Sequence, residues 1–452
     1  MYIEQLIEKL GMDNVSQKES ILIRHGYDES PHKAVEPDVV CFPTSKEDVQ
    51  AILEIARNNQ IPVTPFGTGS GLEGSSIPVK KGISINFEQM DNVLEFSPEN
   101  MTVTVQPGIT RFRLNDYIHS AGLYFPVDPG VDATIGGMVA TNASGTTAVR
   151  YGAMKDQLID LEVVMADGTI IHTASKAKKS SSGYLITNLF AGSEGTLGII
   201  TEVTLKLHPI PEHTIMARCT FETINECATA SQQLLLSGIP LKRIELMDAA
   251  SVAEVNRQNG YRFPVRPSLF FEFAGAKQAV EAEVELAQTI LDNLSCEHWA
   301  VALDPDEQQE LWKARYDLSY SFQSVKGMDE VGADVCVPIK ELPELITYAR
   351  ELIDETGLKG GVWGHVGDGN FHTLILFDPF VNGERQLAES VNEALAIRAI
   401  EVGGSCTGEH GVGIGKQKYQ ELEHGNSLSM MQNIKQLFDP TGILNPGKIF
   451  MN

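Results

Sequence analysis

The most constraining feature of the chain is a block of small residues, PVDPGVDATIGGMVATNASGTTAVRYG, at positions 126–152. The block is rich in Gly, Ala, Ser and Thr and has few charged residues, so it is too apolar for a linker. Its side chains are also too small to fill a hydrophobic core alone. Small side chains let the backbone pack flat against a large planar ligand and read its edges with N–H and C=O groups. The block therefore predicts a binding surface for such a ligand.

A second stretch, PFGTGSGLEG at 65–74, contains a literal match to the GxGxxG pattern of dinucleotide-binding loops. Asp91 even lies 20 residues beyond Gly71, where that pattern expects a ribose-binding acid. A dinucleotide-binding loop must be followed directly by a helix, however. Here the loop is followed by a segment that contains Pro78 and is typical of a turn and a strand. A nicotinamide-binding fold is therefore disfavoured.

The glycine loop still has a physical use. Its glycines, with Thr68 and Ser70, expose successive backbone N–H groups and tolerate positive φ, which makes an anion-binding nest without a helix. The sequence of the segment alone is also compatible with a flexible surface loop that binds nothing. AGSEGTLGII at 191–200 is a third segment of small residues, after the glycine loop and the block at 126–152.

Charge and cysteine content narrow the class of protein. A formal net charge of −25 disfavours nucleic acid as a partner, because that binding requires clustered Lys and Arg. The one basic cluster, KAKK at 176–179, is expected to be a solvated loop. No apolar run reaches the ~18 residues of a membrane-spanning helix, so we expect no transmembrane segment and a cytoplasmic location, with peripheral membrane association left open. The six cysteines include no CxxC pair, which favours reduced thiols.

Periodicity predicts two α+β domains and a returning tail. A capping box at Ser45 and Asp48 begins a helix over 45–60, and a hairpin is expected at 158–173. After residue 212 the helical patterns become longer. The predicted organisation is a helical N-terminal segment at 1–34, a first domain at 35–212, a second at 213–410, and a C-terminal segment at 411–452 that returns to the first domain.

Taken together, the three small-residue segments resemble the FAD-binding domain of vanillyl-alcohol oxidase (p-cresol methylhydroxylase, PCMH) type flavoproteins. The motifs GHVGDGNFH (364–372), GEHGVG (408–413) and LNPGKIF (444–450) narrow the resemblance to FAD-linked D-2-hydroxyacid dehydrogenases. It covers roughly residues 35–450. The resemblance implies this FAD-binding fold plus an α+β substrate (cap) domain with an antiparallel sheet.

The resemblance also implies which residues bind FAD, with the loop around Gly69 holding the pyrophosphate. Some relatives attach flavin covalently through a histidine in the glycine loop, but no His lies between residues 33 and 118, so FAD is expected to be non-covalent. The implied cofactor-binding residues are Pro65, Gly67, Thr68, Gly69, Ser70, Gly71, Leu72, Asp128, Thr134, Gly136, Gly137, Asn142, Ser144, Gly145, Tyr151, Glu194, Gly195, Ile199 and Asn445.

Two histidines flank an Asp-Gly turn in GHVGDGNFH. A chain that reverses there brings His365 and His372 close enough to share one ion, and Glu409 is the natural carboxylate to add as third ligand. Structural or surface histidines are the alternative from the residues alone. The resemblance favours a divalent metal, Zn or Mn.

His410 is the candidate catalytic residue. Adjacent side chains on an irregular backbone point to different sides, so Glu409 can bind metal while His410 faces the flavin as general base. A third metal ligand or a core histidine remains the alternative for His410. Arg315, with Ser319 one turn further along a predicted helix, resembles the family's substrate-binding arginine, and Asn370 is expected to be a second substrate contact; a surface arginine is the alternative.

The implied activity is oxidation of a small D-2-hydroxy acid, with D-lactate favoured and glycolate next. The 2-hydroxyglutarate enzymes of the family carry a lysine where this chain has Gly332, two residues before the DVCVP motif, which disfavours a dicarboxylate. A zinc hydrolase and a flavin-carrying subunit without turnover are the alternatives from other classes. Electrons are expected to leave to a separate quinone, electron-transfer flavoprotein or iron–sulfur subunit, or to dioxygen; a homodimer is left open.

Overall fold

The computed structural model describes residues 2–323 and 325–451. Its strands are β1 (Val15–Ser16), β2 (Val39–Cys41), β3 (Val63–Phe66), β4 (Ile83–Asn86), β5 (Val93–Ser97), β6 (Thr102–Val105), β7 (Leu123–Tyr124), β8 (Leu158–Val164), β9 (Ile170–His172), β10 (Ile199–Lys206), β11 (His208–Pro209), β12 (His213–Thr220), β13 (Arg243–Met247), β14 (Ser268–Gly275), β15 (Glu297–Ala302), β16 (Asp329–Cys336), β17 (Gly360–Gly364) and β18 (Asn370–Phe377).

Helices alternate with these strands along the chain. They are α1 (Tyr2–Leu10), α2 (Glu19–Arg24), α3 (Lys46–Asn59), α4 (Arg111–His119), α5 (Ile135–Thr141), α6 (Ala148–Tyr151), α7 (Met154–Gln157), α8 (Thr187–Phe190), α9 (Ile224–Leu236), α10 (Ala249–Asn259), α11 (Lys277–Asp292), α12 (Pro305–Gln323), α13 (Leu342–Thr356), α14 (Glu384–Glu401), α15 (Gln420–His424) and α16 (Ser427–Phe438). Within the described residues, no helix combines the length and apolarity needed to cross a membrane.

Local sequence rules account for several of these elements. The Ser45 hydroxyl accepts a hydrogen bond from the Asp48 N–H, and the Asp48 carboxylate accepts one from the Ser45 N–H, so the predicted capping box that begins α3 is confirmed. The hairpin between β8 and β9 turns at Asp167-Gly168, where Gly168 has φ +88°, as the Asp-Gly pair predicts. The small-residue block contains α5, which its glycines did not predict. Gly136 allows this helix to approach Pro107, since a Cβ at Gly136 would lie 2.5 Å from the Pro107 Cβ.

The chain divides into two compact units. The first unit consists of Met1–Ser144, Tyr151–Ile210 and Glu409–Asn452. It contains a sheet ordered β1-β2-β4-β3, in which β2, β4 and β3 are parallel, and an antiparallel sheet ordered β5-β6-β10-β8-β9. One apolar core packs α3 against the parallel strands and includes Ile443 and Leu444 of the returning tail. A second core lies between the antiparallel sheet, α4 and α5.

The second unit consists of Gly145–Arg150 and Pro211–Gly408. Its antiparallel sheet is ordered β15-β12-β14-β13-β17-β18-β16. Helices α9, α11, α13 and α14 contribute to the larger core on one face, and α10 and α12 to a smaller core on the other. The unit ends at Gly408, whereas the sequence prediction placed the boundary after His410, so Glu409 and His410 belong to the first unit.

Candidate active site

A long cleft in the first unit begins at the glycine loop. The loop leaves β3 at Phe66 without opening a helix, and Gly69 has φ +74° with its missing Cβ position 2.7 Å from the Phe66 ring. Within the described residues, no acceptor is found for the backbone N–H groups of residues 68–72. Such a row of unsatisfied donors is suited to an anionic ligand group.

The cleft has an empty volume of about 1310 Å³, open solvent included. Its walls consist mainly of small and apolar residues, which suits a long ligand with a planar part. The sequence-predicted residues that line it are Pro65, Gly67, Thr68, Gly69, Ser70, Gly71, Leu72, Thr134, Gly136, Gly137, Ser144, Glu194, Gly195, Ile199, Glu409 and His410. Lining residues that the sequence did not single out include Glu29, Ser75, Ser76, Phe87, Pro107, Val131, Met138 and Thr141.

Five sequence-predicted cofactor residues lie outside this lining set. Asp128 is buried and pairs with Arg111 at 3.1 Å. Asn142 ends α5 with φ 51° and accepts a hydrogen bond from the Lys155 N–H. The remaining three predicted residues are Gly145, which belongs to the second unit, Tyr151, whose hydroxyl accepts from that of Tyr124 at 2.6 Å, and Asn445.

Asn445 supports the cleft wall from behind. Its side-chain amide donates to the carbonyl oxygens of Ser75 at 2.9 Å and Glu194 at 2.7 Å, and both of these residues line the cleft. Because Asn445 lies in the returning tail, the C-terminal segment fixes the backbone of two distant wall segments.

Glu194 has a role that its sequence motif did not reveal. Its buried carboxylate accepts hydrogen bonds from the N–H groups of Val412 at 2.7 Å and Gly413 at 2.9 Å. Burial raises the pKa of the Glu194 carboxyl group, while the backbone hydrogen bonds oppose the shift. Gly411 has φ +86° and a Cβ there would lie 2.8 Å from the Glu194 Oε1 atom, so a larger residue would strain the backbone and displace this carboxylate. Glu194 thus fixes the backbone that immediately follows His410.

Glu409 and His410 both line the cleft. The Ser144 hydroxyl donates to Glu409 Oε2 at 3.1 Å, which ties this carboxylate to the small-residue block. His410 is the one histidine among the described residues that line the cleft. An imidazole in this position can accept a proton from a ligand in the cleft.

The second unit contains a buried set of polar side chains, here called the histidine cluster: His365, His372, Glu245, Asp334 and Arg315. The β17–β18 hairpin brings the two imidazole rings to a centroid distance of 5.3 Å, nearly perpendicular to each other. The predicted approach of His365 and His372 is therefore observed. His365 Nδ1 lies 2.7 Å from Glu245 Oε1, and His372 Nδ1 lies 3.5 Å from Asp334 Oδ1.

Asn370 and Gly408 extend the histidine cluster around Asp334. The Asn370 amide donates to Asp334 Oδ1 at 2.7 Å, and the Gly408 N–H donates to Asp334 Oδ2 at 2.8 Å. The Oδ1 atom of Asn370 is buried and has no hydrogen-bond partner within the described residues. A buried oxygen of this kind is suited to a donor on a bound ligand.

Arg315 belongs to the histidine cluster through its ion pair with Glu245, where the Nε–Oε2 distance is 2.8 Å. Both side chains are buried, and Ser319 follows one turn later on α12. Glu245 therefore bridges Arg315 and His365. Sequence reasoning missed Glu245 and Asp334, although a glutamate inside the apolar strand β13 was a signal that a buried charge needed partners.

These arrangements suit two ligand classes. The cleft, with its unsatisfied N–H groups and small-residue walls, fits a dinucleotide that has an anionic centre and a planar end. His365 Nδ1 is hydrogen-bonded to the Glu245 carboxylate, which is the arrangement that outer carboxylates give to metal-ligating histidines, and His372 Nδ1 lies 3.5 Å from Asp334 Oδ1. The donor set therefore fits a divalent metal.

Family models match both parts of the chain. A model described as "FAD binding domain" matches residues 37–174, and one described as "FAD linked oxidases, C-terminal domain" matches residues 210–449.

Curated relatives match over almost the whole chain. A probable mitochondrial D-lactate dehydrogenase of Danio rerio is 43% identical over 444 residues, which are 97% of this chain and 89% of that protein. The mitochondrial D-lactate dehydrogenase [cytochrome] of Arabidopsis thaliana is 42% identical over 92% of this chain and 74% of its own length. Glycolate oxidase subunit GlcD of Bacillus subtilis is 32% identical over 99% and 96% of the two chains.

Solved structures with low identity share the fold. p-Cresol methylhydroxylase with bound substrate matches with a TM-score of 0.81 at 19% identity, covering 100% of this chain and 96% of that one. An alkyldihydroxyacetonephosphate synthase matches with a TM-score of 0.78 at 21% identity, covering 98% and 85%. The predicted vanillyl-alcohol oxidase type of FAD-binding fold, in an α+β chain, is confirmed.

Proposed function

The chain belongs to the family of FAD-linked D-2-hydroxyacid dehydrogenases, and from this premise we propose that it oxidises D-lactate to the 2-oxo acid. The observation that carries the proposal is a cleft with unsatisfied backbone donors at its glycine loop and His410 on its wall. FAD is the cofactor that the family models imply for such a cleft. Glycolate is the next substrate in order of preference.

We propose that FAD is bound without a covalent link. The N–H groups of residues 68–72 would hold its diphosphate, and the small residues of 134–144 would pack against its planar ring. Among the described residues that line the cleft, His410 is the one histidine and no cysteine or tyrosine occurs. In this proposal His410 transfers a proton and is not linked to the flavin.

His410 would take the hydroxyl proton of the substrate as general base. Bound FAD supplies the acceptor, at N5, for the hydride that leaves the same substrate carbon. Loss of one proton and one hydride converts the hydroxy acid to the oxo acid, so the atoms balance. The hydrogen bonds from the backbone of Val412 and Gly413 to Glu194 keep the segment after His410 in place for this transfer.

A divalent metal, Zn or Mn, would be held by His365, His372 and Glu409. When bound, such a metal lowers the pKa of a coordinated hydroxyl group. The Glu245 carboxylate supports this assignment, because it is hydrogen-bonded to Nδ1 of His365, and the Asp334 carboxylate lies 3.5 Å from Nδ1 of His372.

Arg315 would bind the substrate carboxylate, with Ser319 and Asn370 as further contacts. The bond from Arg315 Nε to Glu245 uses one of the five N–H donors of the guanidinium group, which leaves donors for a second carboxylate. Gly332 lies on β16 on the same face as Asp334 and offers no side chain to pair with a distal carboxylate. A small monocarboxylate is therefore favoured over 2-hydroxyglutarate.

Electrons would pass from the reduced flavin to a separate acceptor, a quinone, an electron-transfer flavoprotein, an iron–sulfur subunit or dioxygen. Two of the three relatives described above have the word mitochondrial in their names. A cytoplasmic location for this chain stays a prediction from its sequence, and the sequence leaves a homodimer open.

Anaerobic flavin reduction tests the proposal. Purified protein should be yellow, release its flavin on denaturation, and lose its visible absorbance when D-lactate is added, with L-lactate and D-2-hydroxyglutarate much slower. Metal chelation should slow the bleaching by D-lactate. Colourless protein would favour the zinc hydrolase, and yellow protein that no hydroxy acid reduces would favour the carrier subunit.

A further inference from the structure

The side chains that line the cleft of the first unit do not supply the positive charge that a bound dinucleotide requires. Its titratable lining residues are Glu29, Glu194, Glu409 and His410, and within the described structure no lysine or arginine lines it. A diphosphate is anionic at neutral pH, and partly buried carboxylates oppose its binding. No helix begins within the glycine loop itself. The N-terminus of the short helix α5 borders the cleft at Thr134, beside Gly67, but its macrodipole amounts to only about half an elementary charge.

Arg24, at the end of α2, lies against the glycine loop. Its Nη2 atom donates to the Thr68 carbonyl oxygen at 2.5 Å, and the missing Cβ position of Gly69 is 2.7 Å from Nη1. The guanidinium carbon lies 5.2 Å from the Phe66 ring centroid and 5.7 Å from that of Tyr27. These contacts hold the exposed guanidinium group against the glycine loop at Thr68 and Gly69.

The segment around Arg24 is fastened to the loop at a second point. The Glu29 N–H donates to the Gly71 carbonyl oxygen at 3.0 Å, so residues 24–29 bind both ends of the 68–71 stretch. Within the described residues, Arg24 forms no ion pair with a carboxylate. Burial raises the pKa of the nearby Glu29 carboxyl group and Arg24 opposes that shift, so the charge of Arg24 is partly offset by Glu29 but is not held in an ion pair.

We propose that Arg24 is the counter-ion of the cofactor diphosphate, supplied by the N-terminal segment to a loop that otherwise offers only uncharged N–H and hydroxyl donors. Arg24 precedes residue 37, where the match to the FAD-binding family model begins, so no matched motif assigns it a role. The proposal rests on FAD binding in the cleft and is independent of which hydroxy acid is oxidised.

Equilibrium binding to the apoprotein tests this role. The probes are FAD and riboflavin, which carries the same ring without phosphate. Arg24→Gln should weaken FAD binding about 10- to 100-fold, the range of one charge-assisted contact, and change riboflavin binding less than about twofold. Arg24→Lys should recover part of the loss. Arg57→Gln is the matched control, because Arg57 also donates to a backbone carbonyl, that of Asp167, away from the loop.

The salt dependence of FAD affinity gives a second readout. Raising salt from about 0.05 to about 0.5 M should weaken FAD binding to the unaltered protein more than to Arg24→Gln, because screening acts on the charge that the variant lacks. If Arg24→Gln weakened FAD and riboflavin binding equally, or left the salt dependence of FAD binding unchanged, Arg24 would only shape the loop and the proposal would be overturned. Unchanged FAD affinity in Arg24→Gln would also overturn it. Protein that binds FAD but is not reduced by D-lactate would contradict the proposed function alone.

Discussion

The cleft of the first unit and the histidine cluster of the second are built from different chemical groups. The cleft offers backbone N–H groups and small residues, and its glycines at 69 and 195 have positive φ. The histidine cluster consists of buried ionisable side chains that contact one another between strands, the turn after β17 and helix α12. One region binds through the path of its backbone, and the other depends on the identity of each side chain.

This difference teaches where substitutions are tolerated. A backbone-built surface withstands truncation of side chains that point away but fails where a Cβ is added. A buried polar cluster fails when one partner is removed, since the remaining charge is left uncompensated. The following predictions test this contrast, beginning with the largest effect.

His410 is the side chain on which the cleft depends most under the proposed function. His410→Ala should lower the rate of flavin reduction by D-lactate about 10²- to 10⁴-fold, because the general base is lost, while FAD stays bound. Stopped-flow absorbance measures the rate and the visible spectrum reports bound flavin. His119→Ala, at an exposed histidine on α4, is the control and should retain the full rate. Unchanged reduction in His410→Ala removes this residue from the mechanism.

Removal of Glu245 should destabilise the second unit. Glu245→Ala leaves Arg315 buried without its carboxylate, which costs about 3–5 kcal/mol of unfolding free energy. Denaturant unfolding followed by tryptophan fluorescence measures it, since the three tryptophans, at 299, 312 and 363, all lie in this unit. Glu297→Ala, which removes an exposed partner of Arg266, should cost about 1 kcal/mol or less. Equal costs for the two variants would contradict the dependence on buried pairing.

Lys448 makes the stability of the first unit depend on pH. Burial lowers the pKa of Lys448 to about 8, whereas an unfolded chain has a lysine pKa near ~10.4. Between these values the unfolded state binds more protons, so the unfolding free energy rises with pH, by about 3 kcal/mol across the window. Calorimetry at about pH 7.5 and about pH 10 should show this rise, and Lys448→Met should flatten it. The same slope in both proteins would assign the dependence to other groups.

The smallest expected effects compare two positions in the cleft wall. Gly195 has φ +69° and its missing Cβ position is 2.4 Å from Pro65 Cγ, so Gly195→Ala should cost about 1–3 kcal/mol and lower FAD occupancy. Leu72 is partly exposed, and Leu72→Ala should change FAD affinity by less than about 0.5 kcal/mol. Fluorescence titration with FAD measures both variants. If Leu72→Ala is the more damaging change, the cleft does not bind through its backbone.

Much of the fold could be predicted from local patterns. The capping box at Ser45 and the Asp-Gly hairpin depend on residues a few positions apart, and their predicted elements α3, β8 and β9 are confirmed. The ordered small-residue motifs predicted the FAD-binding fold, which the family models confirm. Helix α5 was missed because Gly136 and Gly137 lower helix propensity, and the close packing on Pro107 that favours the helix is not visible locally.

The residues that support the site were harder to predict. Glu245 meets His365 across 120 positions, and Glu194 meets Val412 across 218. Neither pairing has a periodicity or motif that a single sequence displays. Arg24 lies before the motifs altogether, and its contact with the glycine loop depends on how α2 packs.

The sequence by itself determined the chemical parts of this protein: a donor-rich glycine loop, a small-residue wall, paired histidines on a tight turn and a Glu-His pair. These are properties of residue type and short spacing, which act before the chain folds. The tertiary structure decided which carboxylate orients each imidazole, and which wall segments the tail holds. Those choices depend on strand register and helix packing over hundreds of positions, where burial makes each buried charge require a partner that local sequence does not name.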